Sequence, residues 1–192
     1  MLTYGINSVA IWKKAYYNRT IICCSVIHVN TKKLQLATFA AGCFWGIEGA
    51  FPEIEGVKST MVGYTGGWFN NPMYRDVCTG KTGHAEAVQV QFDPNEVSYE
   101  NLLDVFWSIH NPTTKNRQGP DIGSQYRSMI AYHTPEQELL AKKSKEDLER
   151  SGKLNGRRIV TEIVPASTFY KAEEYHQKYY QKTDGSAKSC YI

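Results

Sequence analysis

At 192 residues the chain fits one domain, and a composition of 42% hydrophobic, 12% aromatic and 21% charged residues excludes a disordered or fibrous protein. The formal net charge of +3 belongs to the N-terminus: Lys13, Lys14, Arg19, Lys32 and Lys33 all precede the first acidic residue, Glu48, and the remainder has a slight acidic excess. That distribution gives no basic surface to suggest nucleic acid, and no apolar run approaches the ~18–20 residues of a membrane span.

Residues 1–35 read as a variable leader. It is free of acid, and Leu2, Ile6, Val9 and Ala10 fall near helical spacing. An organelle transit peptide, mitochondrial or other, has that character, and so does a plain extension of a cytoplasmic protein. The expected organisation is this leader followed by a single catalytic domain over 36–192. The cysteines Cys23, Cys24, Cys43, Cys78 and Cys190 are odd in number and lack metal-ligand spacing. They point to a reduced compartment with one or two working thiols.

In chain order, LQLATFA (34–40) reads as a buried strand, and Cys43 to Phe51 as a short helix stopped by Pro52. VKSTMVGY (57–64) is a second strand. A long loop, TGGWFNNPMYRDVCTGKTGHA, leads to the strand EAVQVQFD (86–93). Ser98 caps a helix, SYENLLDVFWSIH, whose apolar stripe is Leu102, Val105, Phe106 and Ile109. A second long loop, NPTTKNRQGPDIGSQ, precedes the strand YRSMIAYH (126–133). Thr134-Pro135-Glu136 opens a charged helix to about Ser151, IVTEIVPA is a further strand and FYKAEEYHQKYY a further helix. The tail TDGSAKSCYI is small and polar and is expected to be mobile. Alternating elements of this kind make an α/β or α+β sandwich, a mixed sheet flanked by helices. Two long loops in a compact domain are candidate active-site walls.

Cys43 follows a strand and opens a helix, where unpaired amides and the helix dipole favour a thiolate and lower the pKa from ~8.5. A small buried hydrophobe in a strand-to-helix turn is the competing reading of that position. Phe44 and Trp45 are consecutive, so they cannot both face one core, and one flanks the thiol. An aromatic wall suits a methyl or thioether group. Glu86 shares strand parity with Val88, Val90 and Phe92, which places it on the buried face at the loop end. Desolvation there raises its pKa and keeps it protonated as an acid; a strand-end glutamate reaching solvent is the alternative. Tyr74 and Tyr126, beside the two loops, are phenol donors or packing residues, and Asp121 in GPDIGS is read as a turn residue. His84, His110 and His176 carry no spacing signal for a base.

GCFWG, GYTGG, NPMYRDVCTGKTGHAEAVQVQFDP, LLDVFWSIHNPT, RQGPDIGSQYRS and EEYHQKY occur in order between residues 36 and 180. Together they resemble the A-type peptide methionine sulfoxide reductases, repair enzymes specific for one sulfoxide epimer. The resemblance implies a ferredoxin-like plait core and reduction of methionine-S-sulfoxide, in oxidised proteins and as the free amino acid. It implies Cys43 as nucleophile, Glu86 as acid, Tyr74 and Tyr126 as partners of the sulfoxide oxygen, Phe44 and Trp45 as the methyl pocket, and Asp121 as polar support. Cys190 on the tail is the implied resolving thiol, with Cys78 as the rival. Thioredoxin is the implied reductant, a monomer the expected state, and no metal or organic cofactor is implied. A cysteine hydrolase using a histidine base, or a non-catalytic thiol redox sensor, are the competing classes.

Overall fold

The computed structural model describes residues 33–183. The leader as far as residue 32, with Cys23 and Cys24, and the tail from residue 184, with Cys190, lie outside the described residues, as do the expectations attached to them. Strand β1 (Gln35–Ala41) leads through helix α1 (Phe44–Ala50) to β2 (Val57–Thr65). The short helix α2 (Tyr74–Cys78) interrupts the first long loop before β3 (Ala85–Phe92), and α3 (Tyr99–Ser108) follows. The second loop holds a small hairpin, β4 (Arg117–Gln118) and β5 (Asp121–Ile122), then one 3-10 turn over Ser124–Tyr126. β6 (Ser128–Tyr132), α4 (Pro135–Arg150), β7 (Glu162–Pro165), β8 (Tyr170–Lys171) and α5 (Tyr179–Lys182) complete the fold.

The main sheet has six strands in the order β7-β6-β1-β3-β2-β8. Its centre, β6-β1-β3-β2, is antiparallel throughout, and β1–α1–β2 and β3–α3–β6 are its two helical crossovers. This is the ferredoxin-like plait. β7 extends it in parallel beside β6, and β8 closes the other edge antiparallel to β2. No helix among the described residues is long and apolar enough to cross a membrane.

The sheet divides its residues by parity. Phe39, Val62, Val88, Val90 and Phe92 join Phe44, Ile47, Leu102, Leu103 and Phe106 in the main core beneath the helices. Ala40, Ala85, Ala87 and Met129 line the opposite face, where Val164, Ala166 and Phe169 cover them. Phe39 stacks on Phe51 and Phe106 at 5.4 and 5.2 Å between ring centroids, and burying each ring contributes ~1.5–3 kcal/mol. On α3 the buried stripe is Tyr99, Leu102, Leu103 and Phe106, so Val105 and Ile109 of the expected stripe are only partly covered. Ser98 and Thr134 cap α3 and α4 by accepting main-chain N–H bonds from Asn101 and Gln137, with Pro135 at the first turn of α4.

Two expected elements differ. The strand over IVTEIVPA shortens to Glu162–Pro165, because the N–H groups of Ile159 and Val160 donate to the Glu149 carboxylate and the Pro112 carbonyl instead of a neighbouring strand. FYKAEEYHQKYY does not form one helix: it supplies β8, a run of turns, and only the beginning of α5. Its polar side chains bond to other elements, and Lys178 turns the chain with a positive φ of 53°.

Candidate active site

β1 ends at Ala41, and the chain turns through Gly42 at φ +101°, a conformation that a side chain strains. A Cβ at Gly42 would also lie 2.8 Å from the Cβ of Gln118. Gln118 is buried and clamped to Asn111, donating to its carbonyl at 2.7 Å and accepting its N–H at 3.1 Å. The second long loop therefore fits tightly against the turn. Cys43 comes next, half-buried, as the N-cap of α1 with an extended backbone.

Glu86 is 1% exposed on the core face of β3. Its Oε2 accepts the main-chain N–H of Phe44 at 3.1 Å, so the carboxyl is joined to the residue after Cys43. Burial pushes its pKa up to about 7; the bond from Phe44 opposes this and the charge of Asp121 adds to it. A glutamic acid that is half-protonated near neutrality thus stands against the first turn of α1. With Oε2 accepting from Phe44, Oε1 is the oxygen left to carry the proton.

Tyr126 faces the same group. Burial first, then the negative charges of Glu86, Asp121, Cys78 and Cys43, push its hydroxyl up to about 12. Tyr74, the first residue of α2, is also raised by burial, by its bond with Cys78 and by Glu86. Both phenols stay protonated at neutral pH and can donate. Cys78 is exposed, and partial desolvation raises its thiol despite the Tyr74 bond.

Phe44 is buried and meets Tyr64, Tyr74 and His176 at ring distances of 5.9, 6.5 and 5.1 Å. Trp45 is only half-buried and stacks on Tyr179 at 3.9 Å. The consecutive aromatics divide as their positions require: Phe44 lines the interior and Trp45 the edge of the site.

His84, His110 and His176 leave no open acceptor. His84 accepts from Gly67 N–H and donates to the Phe69 carbonyl, and His110 donates to the Phe106 carbonyl and accepts from Ser128. Burial lowers His110 to about 4, which suits a neutral ring. His176 accepts from Trp45 through Nδ1, so its proton sits on Nε2. A cysteine hydrolase with a histidine base finds no support in this arrangement.

A family model described as peptide methionine sulfoxide reductase matches residues 35–192. The chain belongs to this family. The peptide methionine sulfoxide reductase MsrA of Methanosarcina acetivorans is 64% identical over 149 residues, covering 78% of this chain and 79% of the relative. Among solved structures, Mxr1 of Saccharomyces cerevisiae in reduced form matches with a TM-score of 0.74 at 38% identity, over 79% of this chain and 87% of that one. The same yeast protein in complex with Trx2 matches with a TM-score of 0.54 at 27% identity, over 77% and 85%.

In this member of the reductase family, Cys43, Phe44, Glu86, Tyr126 and Asp121 converge around the start of α1, and Tyr74 reaches the group from the first loop. Sequence reasoning missed the other side of the site. Glu173 accepts the Tyr64 hydroxyl and the Tyr74 N–H, both at 2.9 Å, and its pKa is held down by the bonds it accepts against the opposing effect of burial. Gln177 exchanges bonds with the main chain of Val62 at 3.0 and 2.9 Å, and Glu48 accepts the N–H of Lys178 at 2.7 Å. The signal is the EEYHQK run itself, which reads from sequence as part of one further helix.

Proposed function

We propose that this chain reduces methionine-S-sulfoxide, in oxidised proteins and as the free amino acid, with Cys43 as nucleophile and Glu86 as the acid. The observation that carries this reading is the buried Glu86, poised at about 7 and hydrogen-bonded to the main chain beside Cys43. A sulfoxide oxygen leaves poorly unless it is protonated as the sulfur is attacked. Cys43 attacks the sulfur while Glu86 protonates the oxygen, with Tyr74 and Tyr126 donating to that oxygen and Asp121 supporting the polar side. Phe44 and Trp45 take the methyl group. The oxygen ends on Cys43 as a sulfenic acid, and the sulfoxide leaves as the thioether methionine.

The thiol of Cys190 then displaces water from that sulfenic acid to form a disulfide, which the dithiol of thioredoxin reduces to two thiols. Tyr179 stacks on Trp45, so the chain leaves the described residues close to the site. The seven Cα-to-Cα steps from Thr183 to Cys190 reach up to about 24 Å when extended. Cys78 is the poorer resolving thiol, because desolvation holds its proton on. Thioredoxin rests on the yeast relative solved with Trx2.

Turnover of both epimers of a sulfoxide peptide, with thioredoxin and its reductase, tests this for wild type, Cys43→Ser and Cys190→Ser. The expected result is reduction of the S epimer alone, none with Cys43→Ser, and a single stoichiometric round with Cys190→Ser. Repeated turnover by Cys190→Ser would remove the tail from the scheme, and no reduction by folded wild type with dithiothreitol would remove the activity.

A further inference from the structure

The steps above do not use His176. It is 2% exposed and stands among aromatic rings, 4.4 Å from Tyr74, 5.1 Å from Phe44 and 4.2 Å from Tyr175 between centroids. The one hydrogen bond of its ring among the described residues is the one Nδ1 accepts from the indole N–H of Trp45 at 3.1 Å. The Nε2 proton is buried without a partner there, and an unmet interior donor costs stability. A phenylalanine would fill this aromatic site without that cost. What the imidazole adds is the acceptor for Trp45. Burial lowers its pKa, which keeps that acceptor unprotonated.

Trp45 is thereby fixed in two directions. Tyr179 covers its ring face, 3.9 Å away and 8° from parallel, and His176 holds its polar edge against sliding in the ring plane. The two residues between these groups anchor the chain. Gln177 bonds to Val62, and the N–H of Lys178 donates to Glu48 on the helix that carries Trp45 itself.

We propose that His176 is a positioning residue for the substrate's S-methyl group: by holding the Trp45 indole it sets the width of the methyl pocket and so the preference for methyl over larger S-alkyl groups. The proposal rests on the sulfoxide reading of the site. An indole released at its polar edge can slide over Tyr179, which weakens the fit of a methyl and makes room for an ethyl.

The test compares wild type, His176→Phe and His176→Asn on peptides carrying methionine-S-sulfoxide or ethionine-S-sulfoxide, with dithiothreitol as reductant. A single methylene in an apolar pocket is worth about 10–200-fold in kcat/KM, so wild type is expected to favour the methyl substrate by at least ~10-fold. His176→Phe is expected to bring that preference close to parity and to raise KM for the methyl substrate ~10-fold, with kcat changed less than about threefold. The Oδ1 of His176→Asn can accept the indole N–H, so this variant should recover part of the preference. In proton–nitrogen correlation spectra, the Trp45 indole resonance, assigned with Trp45→Phe, should move upfield in His176→Phe and return toward wild type in His176→Asn. An unchanged methyl preference in a folded His176→Phe overturns the proposal. So does an equal loss on both substrates without rescue by His176→Asn, which marks a merely structural residue. Failure of wild type to reduce either substrate overturns the reductase reading instead, and is seen before any variant is compared.

Discussion

β1, α1 and β3 place Cys43 and Glu86 by main-chain geometry, whereas residues 170–183 place His176 and Tyr179 chiefly by side-chain tethers. On the first wall, an eight-residue strand paired on both sides sets where Glu86 points, and the turn at Gly42 sets where Cys43 begins its helix. On the second, a two-residue strand and a four-residue helix provide little ladder, and the carboxylates of Glu173 and Glu48 and the amide of Gln177 hold the chain in place. Paired strands share the cost of a lost contact among many bonds. A tether is lost whole with one side chain, so the second wall is expected to open locally while the first stays closed.

The largest expected effect lies on the main-chain wall. Glu86→Gln should lower kcat about 10²–10⁴-fold while leaving the fold intact, since a positioned acid contributes that much. Wild-type activity should decline as pH rises through about 7, where Glu86 loses its proton, and the variant should lack that limb. The stability sign follows. The folded pKa exceeds the ordinary 4.5, so the stability linked to Glu86 is full below about 4.5 and is lost as pH rises through about 7. Glu86→Gln should then be more stable than wild type at pH 8 by ~3 kcal/mol, and not at pH 4, in denaturant titrations. Equal pH profiles for the two proteins would mean that Glu86 is not the proton donor.

Next comes the tethered wall. Gln177→Ala removes the acceptor of the Val62 N–H and the side-chain donor to the Val62 and Ala172 carbonyls, the first of which keeps the Ala172 N–H, an expected loss of about 2–3 kcal/mol. Trypsin should cut at Lys171 or Lys178 sooner than in wild type, while amide exchange in β1 and β3 stays slow. Uniformly faster exchange would abolish the distinction between the walls. Gly42→Ala is the matching test of the first wall: the positive φ and the approach to Gln118 should together cost about 2 kcal/mol and displace Cys43, with activity falling more than the unfolding midpoint implies. The smallest effect is Thr134→Ala, which removes the cap of α4 away from both walls. About 1 kcal/mol should be lost with kcat/KM unchanged.

The same contrast explains what could be read from the sequence. Glu86 was placed on the buried face because its parity with Val88, Val90 and Phe92 is a property of any strand. Cys43 was placed at a helix start because Gly42, an apolar run before it and Pro52 after it are local signals. FYKAEEYHQKYY was misread as a helix because its charges suit a solvated helical face, whereas Glu173, His176 and Gln177 are drawn to Tyr64, Trp45 and Val62, more than a hundred residues earlier. Tertiary bonds of that separation leave no periodic trace. Asp121 reads as a turn residue, whereas the structure makes it the first residue of β5, paired with Gln118 just after the turn, and its nearness to Glu86 depends on how the second loop folds back, which its own sequence does not encode.

The margins of the six-stranded sheet bear on the company such a protein keeps. One border strand is four residues long and ends at Pro165, which has no N–H to offer, and the other is two residues long. Neither gives another polypeptide a long template on which to add a strand. Among the described residues the sheet thus offers little edge on which an extended chain could seed an aggregate.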